Sequence, residues 1–243
     1  MSRIYGAHAV GELLDAAPES VVAVLVADGT DAEPYILERA RAAGVPVRTI
    51  SADELRQRSG GRGGAKLGAE LKVASCPGIE ALRGEPGVSS IVLALDGVTD
   101  PHNLGAILRS AAAFGVEAVV VPRDRSAPLN DAAIRSSAGA VAHVPLERVT
   151  NLARTLRQLK DQGYWVLGAD SGQGEELWRA DLSGPIVFVL GAEGTGLRQG
   201  VAKACDLRIN LPMPGKVTSL NVSVFAGIIC AEAHRAALSK GVS

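Results

Sequence analysis

The chain has 243 residues, enough for one large domain or two ordinary ones, and its 47% hydrophobic content allows a sizeable core. Aromatic residues make up 3% of the chain, which argues against a base-stacking surface of the single-strand-binding kind. The net charge of −1 excludes an overall polycationic character, so any binding of nucleic acid must use a local basic patch.

Residues 1–75 are predicted to form a small α/β domain. Its expected elements are helices at 8–16 and 31–43 and strands at 21–26, 45–50 and 69–74. Ser51 and Glu54 form a capping box that predicts a further short helix. The glycine-rich stretch that follows carries four positive charges, at Arg56, Arg58, Arg62 and Lys66. A solvated loop and a phosphate-binding loop are equally consistent with that composition.

A Pro- and Gly-rich linker is expected at 76–88, and residues 89–243 form the second predicted domain. Strands are expected at 91–95, 118–121, 164–168, 186–190 and 207–211, and helices at 104–114, 131–138, 151–162 and 220–238. Continuous apolar runs such as 186–190 are typical of strands buried on both faces of a parallel sheet. The sequence therefore predicts an α/β fold.

Polar and glycine-rich segments follow three of these strands, where ligands bind in open α/β sheets. In the first, Asn103 is a candidate helix cap and Arg109 lies on an apolar helix, either as a surface residue or as an anion-binding one. In the second, Gly191–Gly194 matches neither the dinucleotide fingerprint nor the Walker loop, and Glu193 is a cap or a site carboxylate. In the third, two prolines precede Ser219 and Asn221, which taken alone indicate a helix start.

Each local explanation suffices for its own segment, but three polar segments at one sheet edge predict a shared site. Asn103–Arg109, the Gly191–Gly194 loop and the run 219–223 also resemble motifs one, two and three of the SpoU (TrmH-type) branch of the SPOUT methyltransferases. The opening Gly6-x-His8-Ala9-Val10 resembles the start of the substrate-binding domain of the RlmB-like subgroup. The resemblance covers nearly the whole chain.

The resemblance implies a carboxyl-terminal SPOUT domain with a deep trefoil knot, S-adenosylmethionine as methyl donor, and a homodimer whose active site uses both subunits. The implied reaction is methylation of a ribose 2′-hydroxyl, of a guanosine in large-subunit ribosomal RNA by similarity to the RlmB-like subgroup. The implied catalytic residues are Asn103, Arg109, Glu193, Ser219 and Asn221, and the implied cofactor-binding residues are Gly191, Leu211, Met213 and Leu220. His102 has no role in this assignment and is interpreted as a turn residue.

The expected RNA face combines the four basic residues of the first domain with Arg123, Arg125 and Arg135. Alternatives are a tRNA or an antibiotic-resistance rRNA substrate, which the motifs do not separate, and a non-catalytic RNA-binding or ribosome-assembly protein. No metal site is expected, because the three cysteines lack metal-ligand spacing and are typical of reduced thiols. No signal-type segment is visible and the apolar run 222–231 is too short to span a bilayer, so we expect a cytoplasmic protein.

Overall fold

Two β-sheets organise the computed structural model, which describes residues 2–30, 33–59, 66–170, 174–217 and 219–241. The first sheet contains β1 (Ser2–Tyr5), β2 (Val21–Ala27), β3 (Val47–Ile50) and β4 (Leu67–Leu71) in the order β1-β4-β2-β3. Its helices are α1 (Ala7–Ala16), α2 (Pro34–Ala42) and α3 (Ala52–Arg58). The serine half of the predicted capping box is present, since Ser51 Oγ accepts the backbone N–H of Glu54 at 3.1 Å, whereas the Glu54 carboxylate pairs with Arg58.

The two faces of the first sheet are covered differently. One face packs on α1 and α2 through a core that includes Ile4, Val24, Leu67, Val10 and Ile36. On the other face, Leu55 of the short helix α3 packs on Leu25 and Ala27. The alternation of side chains along each strand produces this division.

The second sheet is parallel, as predicted, and has the strand order β7-β6-β5-β10-β8-β11-β9. Its strands are β5 (Ile91–Asp96), β6 (Ala118–Pro122), β7 (Leu146–Val149), β8 (Trp165–Ala169), β9 (Glu175–Glu176), β10 (Ile186–Gly191) and β11 (Leu207–Asn210). The central strands β5 and β10 are buried on both faces, which explains their continuous apolar sequences.

Helices cover both faces of the second sheet. They are α4 (Pro101–Ala113), α5 (Asp131–Ser137), α6 (Leu152–Asp161), α7 (Gln199–Ala202) and α8 (Val222–Lys240). The core on one face contains side chains of α4, α5 and α8, and the core on the other contains those of α6 and α7. This layered arrangement leaves the carboxyl ends of the parallel strands at one edge, next to the starts of α4 and α8.

The expected linker is packed rather than detached from the second sheet. It contains a single helical turn, Ile79–Ala81, and both Ile79 and Leu82 are buried in the core that α6 covers. The halves of the chain also touch directly, because Ile134 of α5 belongs to the core of the first sheet. Gly139 makes a close approach there: a Cβ at this position would lie 2.2 Å from Ala17 Cβ.

Helix α8 has 19 residues and extends well beyond the apolar run 222–231. Within the described part of the chain it is the single helix long and apolar enough, by length and composition, to cross a membrane. About a third of it (33%) is buried in this fold, where it contacts α4 and β10. Val224 and Leu238 on its surface are 51% and 66% exposed, so the helix presents apolar side chains to the outside.

Candidate active site

The three motif segments meet at the carboxyl edge of the parallel sheet. One amide from each of two segments and a carboxylate from the third form a hydrogen-bonded network. Asn221 Nδ2 donates to Asn103 Oδ1 at 2.9 Å, and Asn103 Nδ2 donates to Glu193 Oε1 at 3.4 Å. The same Glu193 oxygen accepts the backbone N–H of Val222 at 3.2 Å. The convergence expected from the strand ends is therefore present in a single chain.

The start of α4 corrects the local interpretation of Asn103. The cap of α4 is Asp100, whose carboxylate accepts the backbone N–H of His102 at 2.9 Å, and Pro101 occupies the first helical position. Asn103 lies inside the first turn, so its amide is not needed as a cap. This frees both its donor and its acceptor for the network.

Asn221, in contrast, is a helix cap and a network residue at once. Its Oδ1 accepts the backbone N–H of Ser223 at 2.8 Å, while its Nδ2 donates to Asn103. An amide side chain has separate donor and acceptor atoms, so the two roles do not compete. Ser219, which was a candidate cap, precedes the helix by three residues and lines the neighbouring cavity instead.

A cavity of about 340 Å³ lies beside this network. It is lined by Ala169, Asp170, Leu190, Gly191, Ala192, Glu193, Gly194, Gly196, Leu211, Met213, Ser219, Leu220, Val222 and Phe225. All four residues expected to bind the cofactor are in this set. Its mixture of apolar walls with a few polar groups is typical of small-molecule sites.

The glycine loop that forms one wall is closed on itself. Ala192 and Gly196 pair across it, with the Gly196 N–H donating to the Ala192 carbonyl at 2.9 Å. A Cβ on Gly191 would lie 2.3 Å from the Gly196 carbonyl carbon, so any side chain there is excluded by the backbone opposite. Gly194 has a φ of 79°, in the left-handed region that favours glycine.

Two site residues were missed by sequence reasoning: Asp96 and Arg198. The Asp96 side chain is 0% exposed at the end of β5. Asp96 Oδ2 accepts a hydrogen bond from the backbone N–H of Arg198 at 2.8 Å. Asp96 Oδ1 accepts one from Arg198 Nε at 2.6 Å and also lies 2.6 Å from Arg198 Nη2. This buried ion pair fixes the chain directly after the glycine loop. A carboxylate closing an otherwise apolar strand was the signal in the sequence.

Arg109 is exposed on α4 and is not among the residues that line the cavity. It has no hydrogen bond or ion pair with any residue that the structure describes. Of its two proposed environments, the structure therefore supports the surface one. Within one chain, Arg109 is not brought to Glu193. His102 holds the start of α4 to α5, with 3.1 Å between its Nδ1 and Ser136 Oγ.

The basic residues expected to contact RNA have different surroundings. Arg56 is exposed and lies 3.5 Å from Asp53, and Lys66 is exposed. Arg58 is held between two carboxylates, Glu54 at 2.5 Å and Glu70 at 3.1 Å. Exposed positions are also found at Arg123, Arg125 and Arg135. Arg62 lies outside the described residues.

The described residues contain no group of three or more His, Cys, Asp or Glu side chains arranged to hold a metal ion. The three thiols are also far from ionisation. Burial is the main cause that raises the pKa of Cys76 and Cys230 to about 12 and that of Cys205 to about 11.

An α/β sheet with a closed glycine loop and a polar network at its carboxyl edge is typical of α/β proteins that bind a small molecule there. Residues 90–231 match the family model "SpoU rRNA Methylase family", and residues 3–63 match "RNA 2'-O ribose methyltransferase substrate binding". The chain belongs to the SpoU rRNA methylase family.

Individual relatives agree with this assignment. The 23S rRNA (guanosine-2'-O-)-methyltransferase RlmB of Vibrio parahaemolyticus is 41% identical over 244 residues, which cover 97% of both chains. A putative RNA methyltransferase of the TrmH family from Porphyromonas gingivalis has a TM-score of 0.66 and 29% identity, over 96% of this chain and 89% of that one. The SpoU methyltransferase AviRb from Streptomyces viridochromogenes, solved in complex with AdoMet, shares the fold with a TM-score of 0.70 and 22% identity, over 98% of this chain and 90% of that one.

Proposed function

We propose that this protein transfers a methyl group from S-adenosylmethionine to the 2′-hydroxyl of a guanosine in 23S rRNA. The observation that carries the proposal is the joining of Asn103, Glu193 and Asn221, one from each motif, beside a cavity of about 340 Å³. The 41% identity with a 23S rRNA guanosine methyltransferase over nearly the whole chain supports the choice of substrate. We assign RNA binding to residues 1–75, a linker to 76–88 and catalysis to 89–243.

The cavity suits the cofactor through its backbone. Gly191 lines the cavity, and its missing side chain lets the loop close on itself, because a Cβ there would lie 2.3 Å from the Gly196 carbonyl carbon. Leu211, Met213 and Leu220 supply apolar surface to the cavity lining. S-adenosylmethionine, when bound, supplies an electrophilic methyl group. The buried Asp96–Arg198 pair keeps the loop in the conformation that receives it.

The network residues orient the substrate rather than remove its proton. Asn103 and Asn221 are neutral, and both bond to fixed partners, so they hold a hydroxyl or a neighbouring side chain in one geometry. Glu193 already accepts from Asn103 and from the α8 backbone, which makes it a positioning residue. Ser219 lines the cavity without a hydrogen bond to the described residues and is available to the ribose.

We propose that Arg109 acts in the site of a partner subunit. It is exposed, unpaired within the described chain, and lies on α4, which packs beside the apolar helix α8. The exposed Val224 and Leu238 of α8 suit a homodimer interface. An arginine stays protonated at neutral pH, so its physical role is to clamp the adjacent phosphate and to stabilise the developing oxyanion.

Two further features belong to this proposal. A deep trefoil knot is proposed at the cofactor site, because the glycine loop after β10 and the segment 211–220 after β11 line one cavity in a fold shared with SpoU structures. A cytoplasmic location follows from the proposed substrate, since ribosomal RNA is found there.

The target is tested by mapping 2′-O-methylation in total RNA from cells with and without the gene. Loss of one methylated guanosine in 23S rRNA supports the proposal, and its return on expression of the wild-type chain completes the test. A lost tRNA site or a different rRNA site would overturn the choice of substrate. An unchanged map, with no heat of S-adenosylmethionine binding in calorimetry, would overturn the enzyme itself.

The role of Arg109 across the dimer is tested with mixed subunits. Arg109→Ala should lower the methylation rate by about 10²–10³-fold, while cofactor affinity is unchanged because Arg109 does not line the cavity. Asn221→Ala inactivates the other component by breaking the network. When equal amounts of the Arg109→Ala and Asn221→Ala chains are coexpressed, half of the dimers contain one chain of each kind. Each such mixed dimer has one intact site, so the mixture should recover about a quarter of wild-type activity. No recovery would place Arg109 in its own subunit's site.

A further inference from the structure

Three arginines surround one buried carboxylate on the amino-terminal sheet. The Glu70 side chain is 8% exposed, and the nearest nitrogens of Arg3, Arg48 and Arg58 lie 3.4, 3.5 and 3.1 Å from its oxygens. The arginines are 36%, 56% and 29% exposed in the same order. Arg3 and Arg48 were not singled out by the sequence, because they lie in short strands far apart in the chain.

These residues share the sheet face opposite the main core. Arg3 of β1 pairs directly with Glu70 of β4, and Glu70 pairs with Ala23 of β2. Two residues further along β2, Leu25 pairs with Arg48 of β3. Because side chains alternate along a strand, all of them point to the face on which α3 lies. We call Arg3, Arg48 and Arg58 the arginine face.

Three guanidinium groups of the arginine face bond to two carboxylates, and Asp131 of α5 is a further acidic group that acts on the neighbouring Tyr5. Arg58 bridges Glu54 and Glu70, so two carboxylates meet three guanidinium groups. Arg3 and Arg48 each direct one nitrogen to Glu70, at distances longer than the usual 2.7–2.9 Å of a charge-assisted bond. A guanidinium has five N–H donors, so most donors of these two arginines are left for an anion.

Helix α5 connects the arginine face to the candidate active site. It contacts β1, the strand of Arg3, and it packs along α4. On its exposed side it carries Arg135, and Ser136 lies 3.1 Å from His102, next to Asn103 of the catalytic network. The β1 end of the arginine face is therefore joined to the site through α5 and α4, while Ile134 of α5 packs in the core on the opposite face of the sheet.

We propose that the arginine face binds the phosphate backbone of the RNA substrate, with Glu70 holding the guanidinium groups in position. This inference rests on the proposed function, because it supplies a docking surface for that reaction. The ligand chemistry is a phosphodiester: its anionic oxygens match the planar donors of arginine. Because Arg58 is already bridged, Arg3 and Arg48 supply the principal contacts.

The test compares salt dependence of RNA binding for wild type and Arg3→Gln/Arg48→Gln. A 23S rRNA transcript is titrated by fluorescence anisotropy between about 50 and 200 mM salt. Each lost phosphate contact should reduce the slope of log K against log salt by about 1, so the double variant should lose about 2. Arg3→Lys/Arg48→Lys keeps both charges and should keep most of the slope. A purely structural role would lower thermal stability and leave the slope unchanged.

The matched control is Arg39→Gln/Arg41→Gln on α2, which packs on the opposite face of the same sheet and should retain the full slope. A full slope in Arg3→Gln/Arg48→Gln, or an equal loss in the control, overturns the inference. The proposed function is judged separately by methylation of the transcript with wild-type protein. If wild type methylates and binds while the double variant keeps its slope, the docking surface alone is wrong.

Discussion

Replacing Arg198 with methionine tests how the cofactor loop is held. The change removes two of the three nitrogen contacts to Asp96, at 2.6 Å each, and leaves a carboxylate with 0% exposure bonded to one backbone N–H. Removing one partner of a buried ion pair costs about 3–5 kcal/mol. The Arg198 side chain is itself 46% exposed, so we expect the lower end, about 3 kcal/mol. In a chain of this size that corresponds to a fall in Tm of about 6–12 °C.

Scanning calorimetry measures the fall in Tm, and a double variant tests whether the unpaired carboxylate of Asp96 causes it. Asp96→Asn/Arg198→Met contains no buried charge, so its Tm should be higher than the sum of the two single effects predicts. Arg179→Met is the control, because its pair with Glu176 is a surface one with a 76% exposed arginine, worth less than about 1 kcal/mol. A Tm for Arg198→Met equal to that of the control, or strictly additive single effects, would refute the account.

Three further predictions concern the loop, the thiols and the end of α8. Gly191→Ala should abolish S-adenosylmethionine binding in calorimetry with an unchanged circular dichroism spectrum, because its Cβ meets backbone 2.3 Å away; normal affinity would contradict this. Burial raises the pKa of Cys230 to about 12 and of Cys205 to about 11, so both should react with a disulfide reagent at pH 8 only after unfolding, and rapid native labelling would count against it. The hydrogen bond from Lys240 is the main cause that lowers the pKa of Asp181 to about 2, below its unfolded value. Its stabilisation is therefore present above about pH 4 and lost as the pH falls through 2, so the Tm difference between wild type and Lys240→Met should vanish there; a constant difference would argue otherwise.

The apolar strands of the second sheet were predictable because their burial on both faces leaves a continuous signal. The run 186–190 became β10, and its boundary differs from the prediction by one residue. The missed strands β1, β7 and β9 are short and lie at or near sheet edges, so their residues are partly exposed and mixed in character. Such strands are defined by the partner that they pair with, which a single sequence does not reveal.

The sequence predicted which residues meet at the site better than it predicted which of them bond to one another or cap the helices. Strand ends in a parallel sheet share an edge, so Asn103, Glu193 and Asn221 could be expected together. Which polar residue caps α4 depended on where the helix starts. Pro101 fixed that start and made Asp100 the cap, a signal present in the sequence. Arg109 has no bond to the network of its own chain, and its apolar sequence context did not separate an exposed arginine from an anion-binding one.

The net charge of −1 is compatible with RNA binding at a local basic surface, because some carboxylates are buried or engaged by basic side chains. Asp96 is fully buried against Arg198, and Glu70 is nearly so beneath the arginine face. Asp206 is engaged by Lys160 at 2.6 Å and by a backbone N–H of β8 at 2.9 Å. Net charge counts a buried carboxylate and an exposed guanidinium equally, whereas an RNA phosphate interacts mainly with what remains at the surface. Carboxylates that hold basic side chains in place therefore reduce the net charge of the chain while they build the surface that attracts RNA.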